Sequence, residues 1–300
     1  MAEKVPVEFW NWAIPQVKAI NPDILFIAEI YIPSLYRPFI EQGRFDFLYD
    51  KVQLYDTLRL LMGGRPLGRE IDGIRKTQEG LHDRLLHFME NHDEQRIASP
   101  FFAGDPFKGL PAMLVSATID SGPIMVYFGQ EVGEPGDDEE GFGTRDGRTT
   151  MYDYWAVPEH QKWMNLGAFD GGLLSDDQKE LREMYRIILQ NARSEVAIRE
   201  GEYADMTTHD RIVAFTRFTE TERILIIAGF NPRPETVNLK VPANVADRWS
   251  WKPGEQAEFV DLLGDTTQFR ATREQGMNVV LPPYGMKMLK WRTDSKGVRN

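Results

Sequence analysis

The chain of 300 residues contains no cysteine, which excludes a disulfide framework and a thiolate metal site. It also lacks any apolar run of the roughly 18–20 residues that a membrane-spanning helix needs, so we expect no membrane partner. Met1-Ala2-Glu3-Lys4 leads straight into Val5-Pro6-Val7, without the pattern of a signal peptide. The compartment stays open, because secreted, periplasmic and cytoplasmic proteins can share all these absences.

Positive charge and histidine are both scarce. The chain has 35 Lys and Arg against 46 Asp and Glu, a formal net charge of −11. No basic stripe is available to neutralise phosphates, so we expect no nucleic-acid partner. Of the five histidines, three recur every five residues, at His82, His87 and His92. Strand positions five apart face opposite ways, so we predict no metal site there.

What the chain does contain is typical of a globular α/β protein. Apolar residues make up 42% and charged residues 27%, and the length suffices for two domains. In residues 1–196, short apolar strands alternate with amphipathic helices, a pattern that predicts parallel βα units. The predicted strands are Ile24–Ala28, Phe45–Tyr49, Leu85–Met89 and Ile124–Phe128. A first helix is predicted with Pro6 in its first turn and its end at Asn21-Pro22-Asp23, and further helices are predicted at Val52–Met62, Leu67–Glu79, Leu110–Thr118 and Ser175–Glu195.

Residues 197–300 follow a different pattern. Their apolar segments are short, alternating and bounded by turns, and we see no helical periodicity among them. This predicts an antiparallel β domain, built as a sandwich. The predicted strands are Arg211–Phe218, Arg223–Phe230, Thr236–Val241, Glu258–Leu262, Met277–Leu281 and Met286–Trp291.

Two of the predicted parallel strands lead into acidic residues. Glu29 follows the strand Ile24–Ala28, and His92-Asp93 comes after the strand Leu85–Met89. Parallel barrels gather their chemistry at the carboxyl ends of the strands, and paired carboxylates are the tools of glycoside cleavage. Each residue also has a simpler interpretation: Glu29 meeting solvent at a strand end, Asp93 capping a helix, and His92 lying on the surface.

Several segments resemble conserved regions of the α-amylase family of retaining glycoside hydrolases. Ile27–Tyr31 and Phe88–Asp93 resemble the regions around that family's fifth and seventh barrel strands, and Ile124–Glu131 resembles its eighth strand. Gly147–Trp155 resembles a loop of its bacterial members, and Leu281–Met288 resembles the final hairpin of its C-terminal β domain.

The resemblance implies a fold and a set of roles. Residues 1–196 would form the second half of a (β/α)8 TIM barrel, strands five to eight, and residues 197–300 the C-terminal antiparallel β domain. Glu29 would be the general acid/base, Asp93 the carboxylate that stabilises the transition state, and His92 a ligand of the −1 sugar. Tyr31 would stack on the +1 sugar or plug the barrel rim. Arg148 would line the cleft or form an ion pair at the rim.

The chain departs from the family at the nucleophile. In that family a nucleophilic Asp ends the fourth strand in a Gly-x-Arg-x-Asp pattern, which this sequence does not contain. Segments like Met1–Pro6 follow directly after that Asp. We therefore expect the C-terminal portion of an enzyme that acts on α-1,4-glucans, inactive by itself, whose partners are an α-glucan oligosaccharide and a missing N-terminal half or a second copy of the chain.

No cofactor is expected in this chain, while the full-length enzyme could bind Ca²⁺; the acidic run Asp137–Glu140 is a solvated loop or a weak calcium site. One alternative function is a non-catalytic carbohydrate-binding or partner subunit that completes its barrel with another polypeptide. Another is a complete small α/β protein of unrelated function.

Overall fold

The computed structural model describes residues 1–137, 145–149 and 157–292. Within these ranges the chain builds one parallel sheet followed by antiparallel sheets. None of the helices described there combines the length and the apolar composition needed to cross a bilayer.

The parallel sheet contains four strands in chain order. Each strand pairs with the next one along the chain: Ile27 lies opposite Phe47, Leu48 opposite Leu85, and Phe88 opposite Met125. All four therefore point their carboxyl ends toward the same edge. The strands are β1 (Ile27–Ala28), β2 (Phe47–Tyr49), β3 (Leu85–Phe88) and β4 (Ile124–Met125).

Helices cover the connections between these strands. The most buried is α5, all of whose side chains are enclosed. The longest is α7, which begins at a capping box in which Ser175 and Gln178 satisfy each other's backbone N–H groups. The helices are α1 (Val7–Ile20), α2 (Tyr36–Glu41), α3 (Asp56–Met62), α4 (Glu70–Thr77), α5 (Leu110–Thr118), α6 (Pro158–Met164), α7 (Asp176–Ser194) and α8 (Val196–Glu200).

The C-terminal part consists of a six-stranded and a two-stranded antiparallel sheet. The order in the larger sheet is β10-β9-β12-β7-β6-β5, and β8 pairs with β11 in the smaller one. Their elements are β5 (Glu202–Asp205), β6 (Ile212–Phe218), β7 (Arg223–Gly229), β8 (Glu235–Leu239), α9 (Ala243–Arg248), β9 (Gln256–Asp261), β10 (Phe269–Thr272), β11 (Met277–Leu281) and β12 (Met286–Trp291).

The sequence-based boundaries were confirmed for α5, β11 and β12, and other parts of the prediction were wrong. Helix α9 lies where no helix was predicted, and the strands β5 and β10 were missed. The strand predicted at Ile24–Ala28 is reduced to two residues. In the described residues β1 pairs only with β2. Accordingly Leu25 and Ile27 are 64% and 43% exposed.

The apolar core runs through both parts of the chain. One cluster joins Phe88 and Leu114 of the first part to Phe215, Ile226 and Met288 of the second. A second cluster lies inside the antiparallel part, and a third lies under α1 and β1.

A buried arginine crosses the same junction. Arg217 of β6 donates to the carbonyls of Ile119, Ile198 and Gly201 at 2.5, 2.7 and 2.9 Å. Burial lowers the pKa of its guanidinium to about 10. The three carbonyls satisfy the charge that packing has removed from water.

Candidate active site

The candidate site lies at the carboxyl edge of the parallel sheet. Glu29 comes directly after β1, Asp50 directly after β2, and Asp93 five residues beyond the end of β3. Because the strands are parallel and adjacent, these residues leave the sheet on one side.

Glu29 is held by two donors. The Met1 ammonium lies 3.0 Å from its Oε2, and the phenol of Tyr31 donates to its Oε1 at 2.9 Å. Burial alone would raise the pKa of Glu29, but these two hydrogen bonds and the nearby positive charges of Met1 and His92 lower it below the ordinary value. In this arrangement Glu29 is a carboxylate at neutral pH.

Tyr31 reaches Glu29 because its backbone is fixed at the same edge. Its N–H donates to Oε1 of Glu3 at 3.2 Å. Burial, together with the hydrogen bond to Glu29 and the charges of Glu29, Asp93 and Glu94, raises the pKa of its phenol. The phenol therefore stays protonated and remains a donor.

The segment after β3 forms a tight turn around Asn91. Its Oδ1 accepts hydrogen bonds from the backbone N–H groups of Asp93 and Glu94 at 2.9 and 3.0 Å. The turn leaves the His92 and Asp93 side chains 41% and 31% exposed, with His92 Nε2 3.6 Å from Asp93 Oδ2. Both side chains are accessible to a ligand.

Tyr49, at the end of β2, was missed by the sequence reasoning. Burial and the charges of both Glu29 and Asp93 raise the pKa of its phenol. Its hydroxyl donates to the sulfur of Met125 at 3.6 Å, and its ring meets Phe88 edge-on at 5.3 Å. The phenol thus lies in the electrostatic field of both candidate carboxylates. Nothing in the sequence separates Tyr49 from an ordinary core aromatic.

Arg148 approaches the same residues from a later segment. Its Nε donates to Oδ2 of Asp146 at 2.9 Å, an ion pair at the rim, and this contact raises the pKa of Arg148, helped by the charges of Asp93 and Glu94. Arg148 therefore forms an ion pair with Asp146 and also lies within electrostatic reach of Asp93. The rest of the loop that resembles a bacterial segment, Thr150–Trp155, lies outside the described residues.

A fully buried arginine fastens the Arg148 segment to the strand ends. Arg96 donates to Oε2 of Glu90 and to the carbonyl of Phe128, both at 2.8 Å, and to the hydroxyl of Thr149 at 2.7 Å. Its backbone N–H also donates to the carbonyl of Gly147 at 2.7 Å. Sequence reasoning missed Arg96, because a charged residue that closely follows a turn is usually solvated.

Glu94 anchors the turn from its other side. Its carboxylate accepts a hydrogen bond from the phenol of Tyr55 at 3.0 Å and pairs with Lys51 at 2.9 Å. Arg59 lies 3.6 Å away. These contacts balance the negative charge of Glu94 and occupy its oxygens. Asp93 is therefore the carboxylate of this turn that remains accessible.

Asp50 points away from the cleft, into the protein. Its Oδ1 accepts hydrogen bonds from Gln78 at 2.9 Å and from the Leu54 N–H at 3.3 Å. Its Oδ2 lies 3.7 Å from Nε2 of His87, whose Nδ1 donates to the carbonyl of Ser116 at 2.9 Å. Complete burial raises the pKa of Asp50.

The three regularly spaced histidines have separate surroundings. His82 lies against Arg75, His87 against Asp50 and Ser116, and His92 against Asp93. Among the described residues, no group of three or more His, Cys, Asp or Glu side chains could hold a metal ion. Asp138–Glu140 of the acidic run lie outside those residues.

Comparison with known proteins shows which families the chain is similar to. A family model described as the C-terminal domain of maltogenic amylase matches residues 206–288. A cyclomaltodextrinase of Geobacillus thermopakistaniensis is 21% identical over 295 residues, 95% of this chain. α-Amylase MalA of Haloarcula japonica is 26% identical over 250 residues, 82% of this chain.

Solved structures share the fold. The α-amylase from Geobacillus thermoleovorans, complexed with acarbose, superposes with a TM-score of 0.68 at 21% identity, covering 97% of this chain and 58% of that one. AmyP in complex with maltose gives a TM-score of 0.67 at 18% identity, covering 99% and 64% of the two chains. The comparisons indicate a C-terminal region of the α-amylase family.

The chain is shorter than the relatives that it matches. It spans 43% of the length of the cyclomaltodextrinase and 33% of that of MalA. The relatives are glycoside hydrolases of the α-amylase family, and the antiparallel sheets agree with the C-terminal β domain that the family model describes.

Proposed function

We propose that the chain is the C-terminal portion of an α-amylase-family glycoside hydrolase acting on α-1,4-glucans with retention. Residues 1–196 would supply strands five to eight of a (β/α)8 barrel, and residues 197–300 the C-terminal β domain. The observation that carries the proposal is that Glu29 and Asp93 follow the carboxyl ends of β1 and β3, two strands that both pair in parallel with β2. Two carboxylates at one strand edge are what glycoside cleavage requires.

Each accessible side chain of the site would have a separate role in cleaving the glycosidic bond. Glu29 is ionised in the free chain. As the general acid it would first take up a proton and then pass it to the leaving glycosidic oxygen, as the bond to the anomeric carbon breaks and its electron pair moves to that oxygen. Asp93 would stabilise the positive charge that develops on the sugar ring, and His92 would donate to its hydroxyls. Tyr31, which donates to Glu29, would fix the orientation of the acid and face the leaving sugar. Arg148 would line the cleft beside Asp93.

The ligand class is an α-glucan oligosaccharide. The net charge of −11 suits a neutral ligand. Structural neighbours complexed with acarbose and with maltose support the same choice.

We also propose that the 300-residue chain does not hydrolyse maltoheptaose by itself. The two-step retaining route needs a nucleophilic carboxylate on the face of the sugar opposite the leaving group. The sequence contains no Gly-x-Arg-x-Asp pattern to supply one. Assays of newly formed reducing ends should match the protein-free control, and a rate above that control would contradict the proposal.

Chemical rescue tests the roles of the residues that are present. With α-maltosyl fluoride and azide, the C–F bond breaks, fluoride leaves with the electron pair, and azide forms a C–N bond on the opposite face. We expect β-maltosyl azide to form faster than without protein. Asp93→Asn should abolish the excess, because the charge that stabilises the ring is lost. Asp176→Asn, at a side chain fully exposed on α7, should not.

Two negative results together would contradict the roles proposed for these residues. No excess azide product with the wild-type chain, together with no detectable binding of maltoheptaose at His92 or Asp93, would overturn the proposed site.

One observation favours a second candidate, a partner subunit that completes its barrel with another polypeptide. Apolar side chains lie exposed along α1 and β1: Trp12 is 64%, Ile20 87%, Leu25 64% and Ile27 43% exposed. An unpaired strand edge beside such side chains is a site for another chain. Sedimentation of the purified chain should then show dimers or larger species, whereas a monodisperse monomer would count against this role.

A further inference from the structure

The antiparallel part of the chain contains a cavity far along the sequence from the candidate active site. It has a volume of about 590 Å³ and is lined by the turn between α9 and β9 and by the ends of β7 and β12. Three tryptophans form its wall, Trp249, Trp251 and Trp291. Aromatic walls with a few polar groups are typical of small-molecule sites.

The tryptophans are held in a fixed arrangement. The Trp291 ring meets Trp251 edge-on at 4.9 Å and Trp249 edge-on at 5.7 Å. Ser250, between two of them, adopts a φ of 56°, in the left-handed region that side chains other than glycine rarely adopt. Trp249 and Trp251 are buried, whereas Trp291 is half-buried and presents apolar ring surface to the cavity.

Two donors in this wall lack acceptors. Arg223 stacks over the Trp291 ring at 4.9 Å and donates from Nη2 to the carbonyl of Trp249 at 3.1 Å. Within the described residues, neither Nε of Arg223 nor the indole Nε1 of Trp249 has a hydrogen-bond partner, although both atoms are buried. Buried donors without acceptors are costly, and a ligand that offers oxygen atoms would satisfy them.

The charges of the lining define the ligand further. Arg223 and Arg292 are balanced by Glu255 and Glu258, so the cavity carries no net formal charge. A neutral ligand with both hydroxyl donors and oxygen acceptors matches this lining better than an anion or a cation. The apolar face of a pyranose ring matches the face of an indole.

We propose that this cavity binds a pyranose unit of a neutral oligosaccharide, as a site separate from Glu29 and Asp93. The choice of an α-glucan among such oligosaccharides rests on the proposed function. The ring would pack on Trp291, its hydroxyl oxygens would accept from Arg223 and Trp249, and its hydroxyl groups would donate to Glu255. The β domain would thereby hold a glucan chain in addition to the catalytic cleft.

The test uses maltoheptaose and the full 300-residue chain. Resonances of the indole N–H groups report on each of the seven tryptophans separately. We expect those of Trp249 and Trp291 to shift saturably, while that of Trp12, which is exposed on α1, stays in place. Unmoved Trp249 and Trp291 resonances at millimolar maltoheptaose would overturn the proposal.

Variants separate a binding role from a packing role. Trp291→Ala should weaken this binding about tenfold or more, and Trp12→Ala should leave it unchanged. Glu255→Gln is a second, milder probe, because Glu255 is exposed and its loss does not disturb the core. We expect Glu255→Gln to weaken binding severalfold, and wild-type affinity in both cavity variants would contradict the assignment.

Asp93→Asn distinguishes the two sites. It should leave the Trp249 and Trp291 shifts unchanged, whatever its effect on azide rescue. Loss of the tryptophan shifts in Asp93→Asn would place the bound sugar in the cleft and refute a separate site. Equal shifts with a β-linked glucan would refute the choice of an α-glucan.

Discussion

Replacing Arg96 by methionine should destabilise the protein more than any exposed ion-pair change. The Arg96 side chain is 0% and the Glu90 side chain 2% exposed, and they pair at 2.8 Å. Methionine fills much of the same volume but leaves Glu90 buried without its counter-charge. Burial already raises the pKa of Glu90 against the opposing effect of Arg96. Breaking a buried pair in this way costs about 3–5 kcal/mol.

The assay is urea denaturation followed by circular dichroism, with a matched control. Arg186 pairs with Glu183 on the surface of α7, where the two side chains are 46% and 50% exposed. Arg186→Met should therefore leave the midpoint unchanged. Adding Glu90→Gln to Arg96→Met should restore part of the lost stability, because the amide carries no charge. Its oxygen can still accept the hydrogen bond that the Ile97 N–H donates to Glu90 Oε1 at 2.7 Å in the wild type.

A local effect should accompany the global one. Arg96 holds Thr149 and Gly147, so its removal should speed amide hydrogen exchange in residues 145–149 more than elsewhere. A loss of less than about 1 kcal/mol in Arg96→Met would show that Glu90 is not a desolvated charge and would refute the reasoning.

Three further changes test other contacts. Because burial raises the pKa of Asp50, the fold favours its protonated form, and the unfolding free energy of the wild type should fall as the pH rises above 3.8, the ordinary pKa of the carboxyl group. Asp50→Asn should remove this fall, which denaturation at several pH values measures. Tyr31→Phe should raise the pKa of Glu29 in an NMR titration, since a donor to the carboxylate is lost. Gly122→Ala should lower the melting temperature, because its Cβ would lie 2.1 Å from a backbone oxygen, whereas Gly73→Ala, with open space, should raise it.

Local patterns predicted the elements whose boundaries depend on local chemistry. Helix α5 follows from its apolar composition, and α7 from the capping pair Ser175 and Gln178. The strand β1 came out shorter than predicted, because strand length depends on partners elsewhere in the chain. Helix α9 has only six residues, too few for a clear period.

The candidate residues that the sequence reasoning named are partly exposed, whereas Arg96, which it missed, is fully buried. Glu29, His92 and Asp93 stand out because they follow two predicted parallel strands and lie in segments that resemble conserved regions of one family. Arg96 and Tyr49 do not stand out, because their roles depend on contacts with segments distant in sequence. The roles of Glu29, Asp93, His92, Tyr31 and Arg148 stay predictions until the rescue experiment is done.

The side chains of Phe215, Ile226 and Met288 pack in the same apolar cluster as Phe88 and Leu114. Neither part of the chain therefore has a hydrophobic core that is complete without the other. Cleaving the polypeptide near residue 196 and separating the two parts would expose the apolar surface between them to water. The antiparallel part is consequently not expected to fold when it is fused to another protein. Heating should melt the whole molecule in one calorimetric peak.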